Sequence, residues 1–113
     1  MKLQNTKKKG TARTIIFKSN KKYKAVCLDF NIIEEGDTRE EVEESIKEAI
    51  IGYVENICKN KLDDKLLNRH ADEKYWKMYE SYVKKISKPK IEDNLNETSI
   101  FTLPINRKRI CSA

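Results

Sequence analysis

Residues Gly36 to Cys58 read GDTREEVEESIKEAIIGYVENIC, and within this segment the hydrophobic periodicity becomes that of a helix. Thr38 and Glu41 form the T-x-x-E pattern of a capping box, which satisfies backbone N–H groups at a helix N-terminus. A stripe of apolar residues follows in steps of four, three and one: Val42, Ile46, Ala49, Ile50, Tyr53, Val54 and Ile57. The segment predicts a helix from about Arg39 to Cys58, whose structural turn and cap are Gly36, Asp37, Thr38 and Glu41.

The face opposite this stripe is acidic and contains one apolar residue. At about 100° per residue, the side chains on it are those of Glu40, Glu44, Glu48, Ile51 and Glu55. Charged helix faces are commonly just solvated, and a single exposed isoleucine is ordinary. The alternative is contact with a partner, and these five are the candidate partner-binding residues.

The segments before the helix have the composition of strands. Thr14–Phe17 and Tyr23–Phe30 are rich in β-branched and aromatic residues, and a polar turn at Ser19–Lys22 separates them. Apolar residues occupy both faces of the second segment, which favours a central strand. Asn31–Glu35 is predicted to be a third, short strand.

A second helix is predicted from about Asp72 to Ser87, followed by a polar loop at 88–97 and a last strand at Thr98–Ile105. Pro104 places that end of the strand at an edge or at a bulge. The helix carries an apolar stripe with Trp76 at its border, and the helical spacing favours a core role over base stacking. The members of this stripe are Tyr75, Met78, Tyr79, Tyr82, Val83 and Ile86.

These elements predict an α+β fold in the order β-β-β-α-[α]-β, a small antiparallel sheet with the main helix packed on one face. The length of 113 residues fits one domain. We expect a basic flexible arm at 1–12, a single domain at 13–105 with its extra helix at about 72–87, and a basic tail at 106–113.

Charge is unevenly distributed along the chain. Eight acidic and two basic residues between Glu34 and Glu48 give this segment a net charge of −6. The whole chain has a net charge of +6, so the remaining residues carry +12. Basic ends can contact nucleic acid through phosphates or serve only solubility. The candidate nucleic-acid-binding residues are Lys7, Lys8, Lys9, Arg107, Lys108 and Arg109.

No pattern in the sequence supports catalysis. His70 is the only histidine, and the nearby Asp72 favours a surface pair with it rather than a catalytic set. Asp63 and Asp64 have no metal-ligand partners at a recognised spacing, and three glycines cannot supply a phosphate loop. The chain is therefore predicted to be non-enzymatic, with no metal site and no cofactor.

The cysteines and the N-terminus favour the cytosol. The chain has three cysteines, Cys27, Cys58 and Cys111, and no two of them form a C-x-x-C pair, so we expect reduced thiols. Cys27 and Cys58 are expected to be small core residues. Residues 1–10 contain no apolar segment typical of a secretory signal, and no apolar run is long enough to span a membrane.

Residues Tyr23 to Val54, YKAVCLDFNIIEEGDTREEVEESIKEAIIGYV, resemble the HicB-like antitoxin domain. The resemblance covers about residues 13–57, roughly 40% of the chain. The matching positions are Ala25, Cys27, Asp29, Gly36-Asp37-Thr38, Glu40-Glu41, Val42, Glu48-Ala49 and Tyr53.

This resemblance implies a degenerate ribonuclease-H-like unit that has lost catalysis and that forms homodimers or higher homo-oligomers. It also implies a partner, a small basic HicA-type toxin that cleaves messenger RNA and is neutralised by protein–protein contact. The acidic helix face independently suits a basic partner. The remaining residues predict one extra helix and a strand in place of the C-terminal DNA-binding domain that many members carry.

Two alternatives remain open at this point. One is a stand-alone HicB-like module of unknown function that oligomerises and binds nucleic acid through its basic ends. The other is an oligomerisation domain whose second helix packs a dimer.

Overall fold

The computed structural model describes residues 5–7, 9–86 and 98–106. It confirms the α+β class and the predicted order of helices and strands. The elements are β1 (Lys9–Ser19), β2 (Lys22–Cys27), β3 (Ile32–Gly36), α1 (Arg39–Lys59), a short 3₁₀ helix (Asp64–Leu67), α2 (Glu73–Ile86) and β4 (Thr98–Asn106). The predicted loop at 88–97 and the tail residues after 106 lie outside the described residues.

The four strands form one antiparallel sheet in the order β3-β2-β1-β4. A two-residue loop joins β1 to β2, and both of its residues, Asn20 and Lys21, have positive φ, as in the hairpin turns whose twist matches that of the strands. β2 lies inside the sheet and β4 at its edge, so the predicted central strand and the predicted edge position of Pro104 are both confirmed.

The main core lies between α1 and one face of the sheet. Alternation along the strands sends Ile16, Ala25 and Cys27 to this face, and the helical stripe meets them. Five residues of the helical stripe are at most 1% exposed: Val42, Ile46, Ile50, Val54 and Ile57. Burying a side chain of this size stabilises the fold by about 1.5–3 kcal/mol relative to leaving it exposed. This packing fixes which face of α1 turns towards solvent.

The other face of the sheet holds a smaller core beneath the start of α2. Ile15, Val26 and Leu28 are buried there under Ala71 and Trp76. Trp76 is the one fully buried side chain of α2 within residues 73–85, and it lies at the border of the predicted stripe.

The predicted core role of the α2 stripe is wrong for two of its members. Met78 is 36% exposed and Val83 is 38% exposed. Helical spacing identifies an apolar face correctly, but the sheet is not present beneath all of it.

β1 begins at Lys9, four residues before the domain boundary predicted at residue 13. Ahead of it, Asn5 is buried, and its Nδ2 donates to the Leu67 carbonyl at 3.0 Å while its Oδ1 accepts from the Thr11 N–H at 2.8 Å. A Cβ at Gly10 would collide with the Asn5 side chain. These contacts attach a segment that the sequence predicted as a flexible arm.

Gly52 in α1 and Gly36 at the end of β3 are expected to respond in opposite ways to replacement by alanine. A Cβ at Gly52 would meet no atom within 4 Å, so Gly52→Ala is expected to raise the free energy of unfolding by about 1 kcal/mol, through helix propensity alone. Gly36 is the matched control, because its Cβ would lie 3.3 Å from the Val42 backbone nitrogen. Urea unfolding measures the free energy of unfolding of both variants. An equal increase in that free energy for Gly52→Ala and Gly36→Ala would contradict the expectation.

Candidate partner-binding surface

The outer face of α1 presents all five candidate partner-binding residues to solvent. Glu40, Glu44, Glu48, Ile51 and Glu55 are exposed, Ile51 to 39%. At about 100° per residue they fall within an arc of about 80°, and they extend over about 22 Å of helix. We call these five residues the acidic face.

The acidic face contains a shallow depression at its N-terminal end. Its volume is about 350 Å³, and its lining residues are Glu40, Glu41, Glu44, Ser45 and Glu48. Four of these five lining groups are carboxylates, which favours a cationic group of a partner in this position.

The four carboxylates of the acidic face have no ion pair or hydrogen bond within the described residues. Two neighbouring glutamates do form ion pairs. The Glu43 carboxylate accepts from the Lys47 ammonium at 2.7 Å, and the Glu35 carboxylate lies 3.8 Å from the Lys24 ammonium. The charge of the acidic face is therefore not neutralised by contacts within this part of the chain.

The first turn of α1 is fixed by the predicted capping box, which the structure confirms. The Glu41 N–H donates to the Thr38 hydroxyl at 3.1 Å, and the Thr38 N–H donates to the Glu41 carboxylate at 3.2 Å. Further along, the Tyr53 hydroxyl donates to the Leu66 carbonyl at 2.5 Å. The acidic face thus belongs to a helix that is held at its start and near its middle.

The role of Gly36 differs from the one expected of a turn glycine. Its φ is not positive, and the chain instead approaches closely at this point, as the short distance to Val42 shows. Asp37 is exposed and lies between the end of β3 and the cap.

The basic candidates are only partly described, and one of them is engaged inside the molecule. The Lys7 ammonium donates to the Leu62 carbonyl at 2.6 Å and to the Asp64 carboxylate. The Lys7 side chain remains 33% exposed, and its role in nucleic-acid binding stays a prediction. Lys9 is exposed at the start of β1, whereas Lys8, Arg107, Lys108 and Arg109 lie outside the described residues.

The sheet also contains a buried ion pair, between Asp29 and Arg13. The Asp29 carboxylate is fully buried and accepts from the Arg13 backbone N–H at 2.7 Å. It also accepts from Arg13 Nε at 3.1 Å and from Nη2 at 2.5 Å. The guanidinium lies 4.7 Å from the centroid of the Trp76 ring. This arrangement joins the middle of β1, the turn that follows β2, and α2.

His70 belongs to the same region. Its ring packs edge-on against Trp76 with the centroids 5.7 Å apart, and its backbone N–H donates to the Asp29 carbonyl at 3.1 Å. The Asp72 carboxylate accepts from the Lys74 N–H at 3.0 Å, in place of the surface pair with His70 that the sequence predicted. Burial raises the pKa of the Tyr79 phenol, whose ring packs edge-on against Trp76 with the centroids 6.5 Å apart.

The cysteines divide into two kinds. Cys27 is a free thiol in the main core, as predicted, and burial raises its pKa to about 12, so that it stays protonated at neutral pH and is a poor nucleophile. Cys58 is half-buried and disulfide-bonded, which corrects the prediction of a reduced thiol there.

Arg13 and Trp76 are the contributors to this region that sequence reasoning missed. A sequence signal was present for Asp29, which interrupts the apolar segment Tyr23–Phe30, because charged residues are almost never fully buried unless they are paired. What the sequence cannot show is that Arg13 and Asp29, 16 positions apart, are each other's partners.

Within residues 5–7, 9–86 and 98–106, no group of three or more histidine, cysteine, aspartate or glutamate side chains could hold a metal ion. None of the helices in the same part of the chain is both long and apolar enough to cross a membrane.

The fold and the surface together define an α+β domain with a four-stranded antiparallel sheet and one acidic helical face. A comparison with protein-family models, with curated proteins and with solved structures finds no match to this chain.

Proposed function

We propose that this protein is a non-enzymatic binding domain of the HicB-like antitoxin type, which neutralises a small basic HicA-type toxin by contact through the acidic face. The observation that carries the proposal is the set of four exposed carboxylates on α1 that no ion pair engages within the described residues. The resemblance over residues 13–57 supplies the class of partner.

Charge and shape would contribute separately to such a complex. Carboxylates spaced along one helix attract a basic surface over a distance and raise the rate of association. Ile51 lies between Glu48 and Glu55 on the same face and offers an apolar contact at the centre, where interfaces obtain most of their affinity. α1 is anchored by its buried stripe, so little ordering of its backbone would be required on binding.

The first experiment is to isolate the tagged full chain from a lysate of its native cells after nuclease treatment and to identify co-purifying proteins by mass spectrometry. We expect one small, basic protein in near-stoichiometric amount. That protein, made separately, should cleave messenger RNA, and addition of this chain should stop the cleavage. Retention of RNA or DNA without any protein partner would instead favour the nucleic-acid alternative.

Charge reversal tests whether the acidic face is the contact surface. Glu44→Lys combined with Glu48→Lys is expected to weaken binding of the isolated partner by at least about tenfold, mainly through slower association. The matched control is Glu80→Lys, an exposed glutamate on the other helix, which should leave binding unchanged. Surface plasmon resonance at two salt concentrations measures both; equal affinity of the double variant and the wild type would exclude this face.

A further inference from the structure

Cys58, in the last turn of α1, carries a covalent bond that the proposed function does not use. The chain has three cysteines, of which Cys27 is a free thiol and Cys58 is disulfide-bonded. Cys111 lies outside the described residues and is the one cysteine left in the chain to bond with Cys58. A bond within the chain would therefore attach residues 107–111, RKRIC, to α1. We call these five residues the basic segment.

Cys58 continues the acidic face towards the C-terminus of α1. A helix turns by about 100° per residue, so Cys58, seven residues after Ile51, points within about 20° of it. Glu55 precedes Cys58 by three residues, and residues at this spacing are neighbours with about 5–6 Å between their Cβ atoms. A chain that is bonded to Cys58 therefore lies beside the last carboxylate of the acidic face.

β4 ends at the same end of the molecule as α1. Its last residue, Asn106, pairs with Lys9. Two residues before Lys9, the Lys7 ammonium donates to the Leu62 carbonyl at 2.6 Å, and the Leu62 N–H donates to the Ile57 carbonyl at 2.9 Å. Ile57 belongs to the last turn of α1. Five extended residues span about 17 Å, so the basic segment starts close enough to return to this turn.

The basic segment and the acidic face have complementary charges. Arg107, Lys108 and Arg109 precede Cys111 by two to four residues. Successive residues advance by at most about 3.6 Å, so all three cations lie within about 15 Å of Cys111 along the chain. The carboxylates of the acidic face, of which Glu55 is the last, have no ion pair within the described residues. A closed bond thus brings three cations to carboxylates that lack a counter-charge there.

We propose that a disulfide between Cys58 and Cys111 holds the basic segment on the C-terminal half of the acidic face, where it covers Ile51 and neutralises Glu48 and Glu55. A dithiol reductant opens this contact. The S–S bond takes up two electrons and two protons and becomes two thiols, while the dithiol is oxidised to a disulfide. The inference deepens the proposed function, and it rests on that function only in naming the basic toxin as the partner that the segment excludes.

The covalent bond makes a weak contact effective. Individual exposed ion pairs are weak, but a short tether holds the basic segment at an effective concentration in the millimolar range. A basic ligand must displace the tethered segment from the acidic face before it binds. Coupling between two binding events commonly changes affinity by about fivefold or more, so reduction is expected to tighten the binding of a basic ligand by at least that factor.

The bond itself is tested on the full chain without any partner. The chain is equilibrated with oxidised glutathione, free thiols are blocked with N-ethylmaleimide, and unreduced peptides are mapped by mass spectrometry. We expect a peptide pair that joins Cys58 to Cys111, with Cys27 blocked only after unfolding. Cys58 bonded solely to glutathione, or to a cysteine of a second copy, would overturn the proposal.

Two variants separate the bond from the charge. Cys111→Ser removes the bond and keeps the three cations, whereas R107Q/K108Q/R109Q keeps the bond and removes the cations. In heteronuclear NMR of the oxidised chain at low salt, we expect the Glu55 amide resonance to move in both variants. Reduction of the wild type should move it in the same direction as Cys111→Ser.

The matched control is K74Q/K77Q/K85Q, which removes the same charge from exposed lysines of α2, on the other face of the sheet. It should leave the resonances of the acidic face unchanged. If R107Q/K108Q/R109Q moved these resonances no more than the control does, the basic segment would not lie on the acidic face and the proposal would be wrong.

A synthetic deca-lysine peptide tests whether the segment closes the face to a basic ligand. Its affinity is measured at low salt by NMR titration of the α1 amides. Reduction of the wild type should tighten binding at least about fivefold, and Cys111→Ser should bind equally tightly with and without reductant. Equal affinity of oxidised and reduced wild type would overturn the proposal. A lysate without any basic partner would instead refute the proposed function and leave the deca-lysine result standing.

Discussion

Asp29→Ala is expected to lower the free energy of unfolding by about 3–5 kcal/mol, because removing one partner of a buried ion pair leaves an uncompensated charge inside the protein. The remaining partner would be Arg13, whose side chain is only 15% exposed. The Arg13 backbone N–H would also lose its acceptor, and an unsatisfied buried donor is costly by itself. Urea unfolding followed by circular dichroism measures the loss.

Two controls separate the charge from the volume of the side chain. Replacing both partners by apolar residues, as in R13M/D29L, is expected to recover much of the loss, because a buried ion pair often contributes no more than an apolar pair of similar volume. Glu35→Ala removes an exposed partner from a 3.8 Å ion pair with Lys24 and is expected to cost about 0–1 kcal/mol. If Asp29→Ala cost no more than Glu35→Ala, the ion pair would have no structural role.

Patterns within one turn or one strand could be predicted from the sequence. The capping box at Thr38 and Glu41 and the apolar stripe of α1 depend only on neighbours three or four positions away. The helix accordingly begins at Arg39 as predicted, and its buried residues all belong to the predicted stripe. The acidic face followed from the same periodicity, since a helix with one buried face must expose the other.

Contacts between distant segments could not be predicted in the same way. β1 starts at Lys9 because it pairs with β4, with Lys9 opposite Asn106, and no local propensity of the segment Lys9–Ala12 indicates this. Asn5 is buried because its side chain bonds to Leu67 and Thr11, on two different elements. The contact of Lys7 with Asp64 could not be predicted either, because a run of lysines indicates positive charge but not which lysine contacts the rest of the protein.

The path of α2 illustrates the limit of amphipathicity as evidence for a core. The stripe of this helix predicts an apolar contact, but the position of the sheet decides how much of that contact lies within one chain. Only the first two turns lie over the small core, through Tyr75, Trp76 and Tyr79. Met78 and Val83, which belong to the same stripe, are exposed instead.

Trp76→Ala is expected to lower the free energy of unfolding by about 3–5 kcal/mol, the usual range for truncating a large buried aromatic side chain. Trp76 is 2% exposed and fills the space between α2 and the strands. Its ring also contacts the guanidinium of Arg13 and the imidazole of His70. Its loss would therefore release α2 from the sheet and expose the Asp29 ion pair to water.

The effect of Trp76→Ala should be confined to one side of the sheet. Hydrogen exchange is expected to become faster in α2 and around Ala71, whereas the amides of α1 keep their protection because the main core does not include Trp76. Binding of a basic partner to the acidic face should be retained for the same reason. Tyr82→Ala, in the same helix but in neither core cluster, is the matched control and should cost less than about 1 kcal/mol. Loss of α1 protection together with α2 would mean that the two cores form a single cooperative unit.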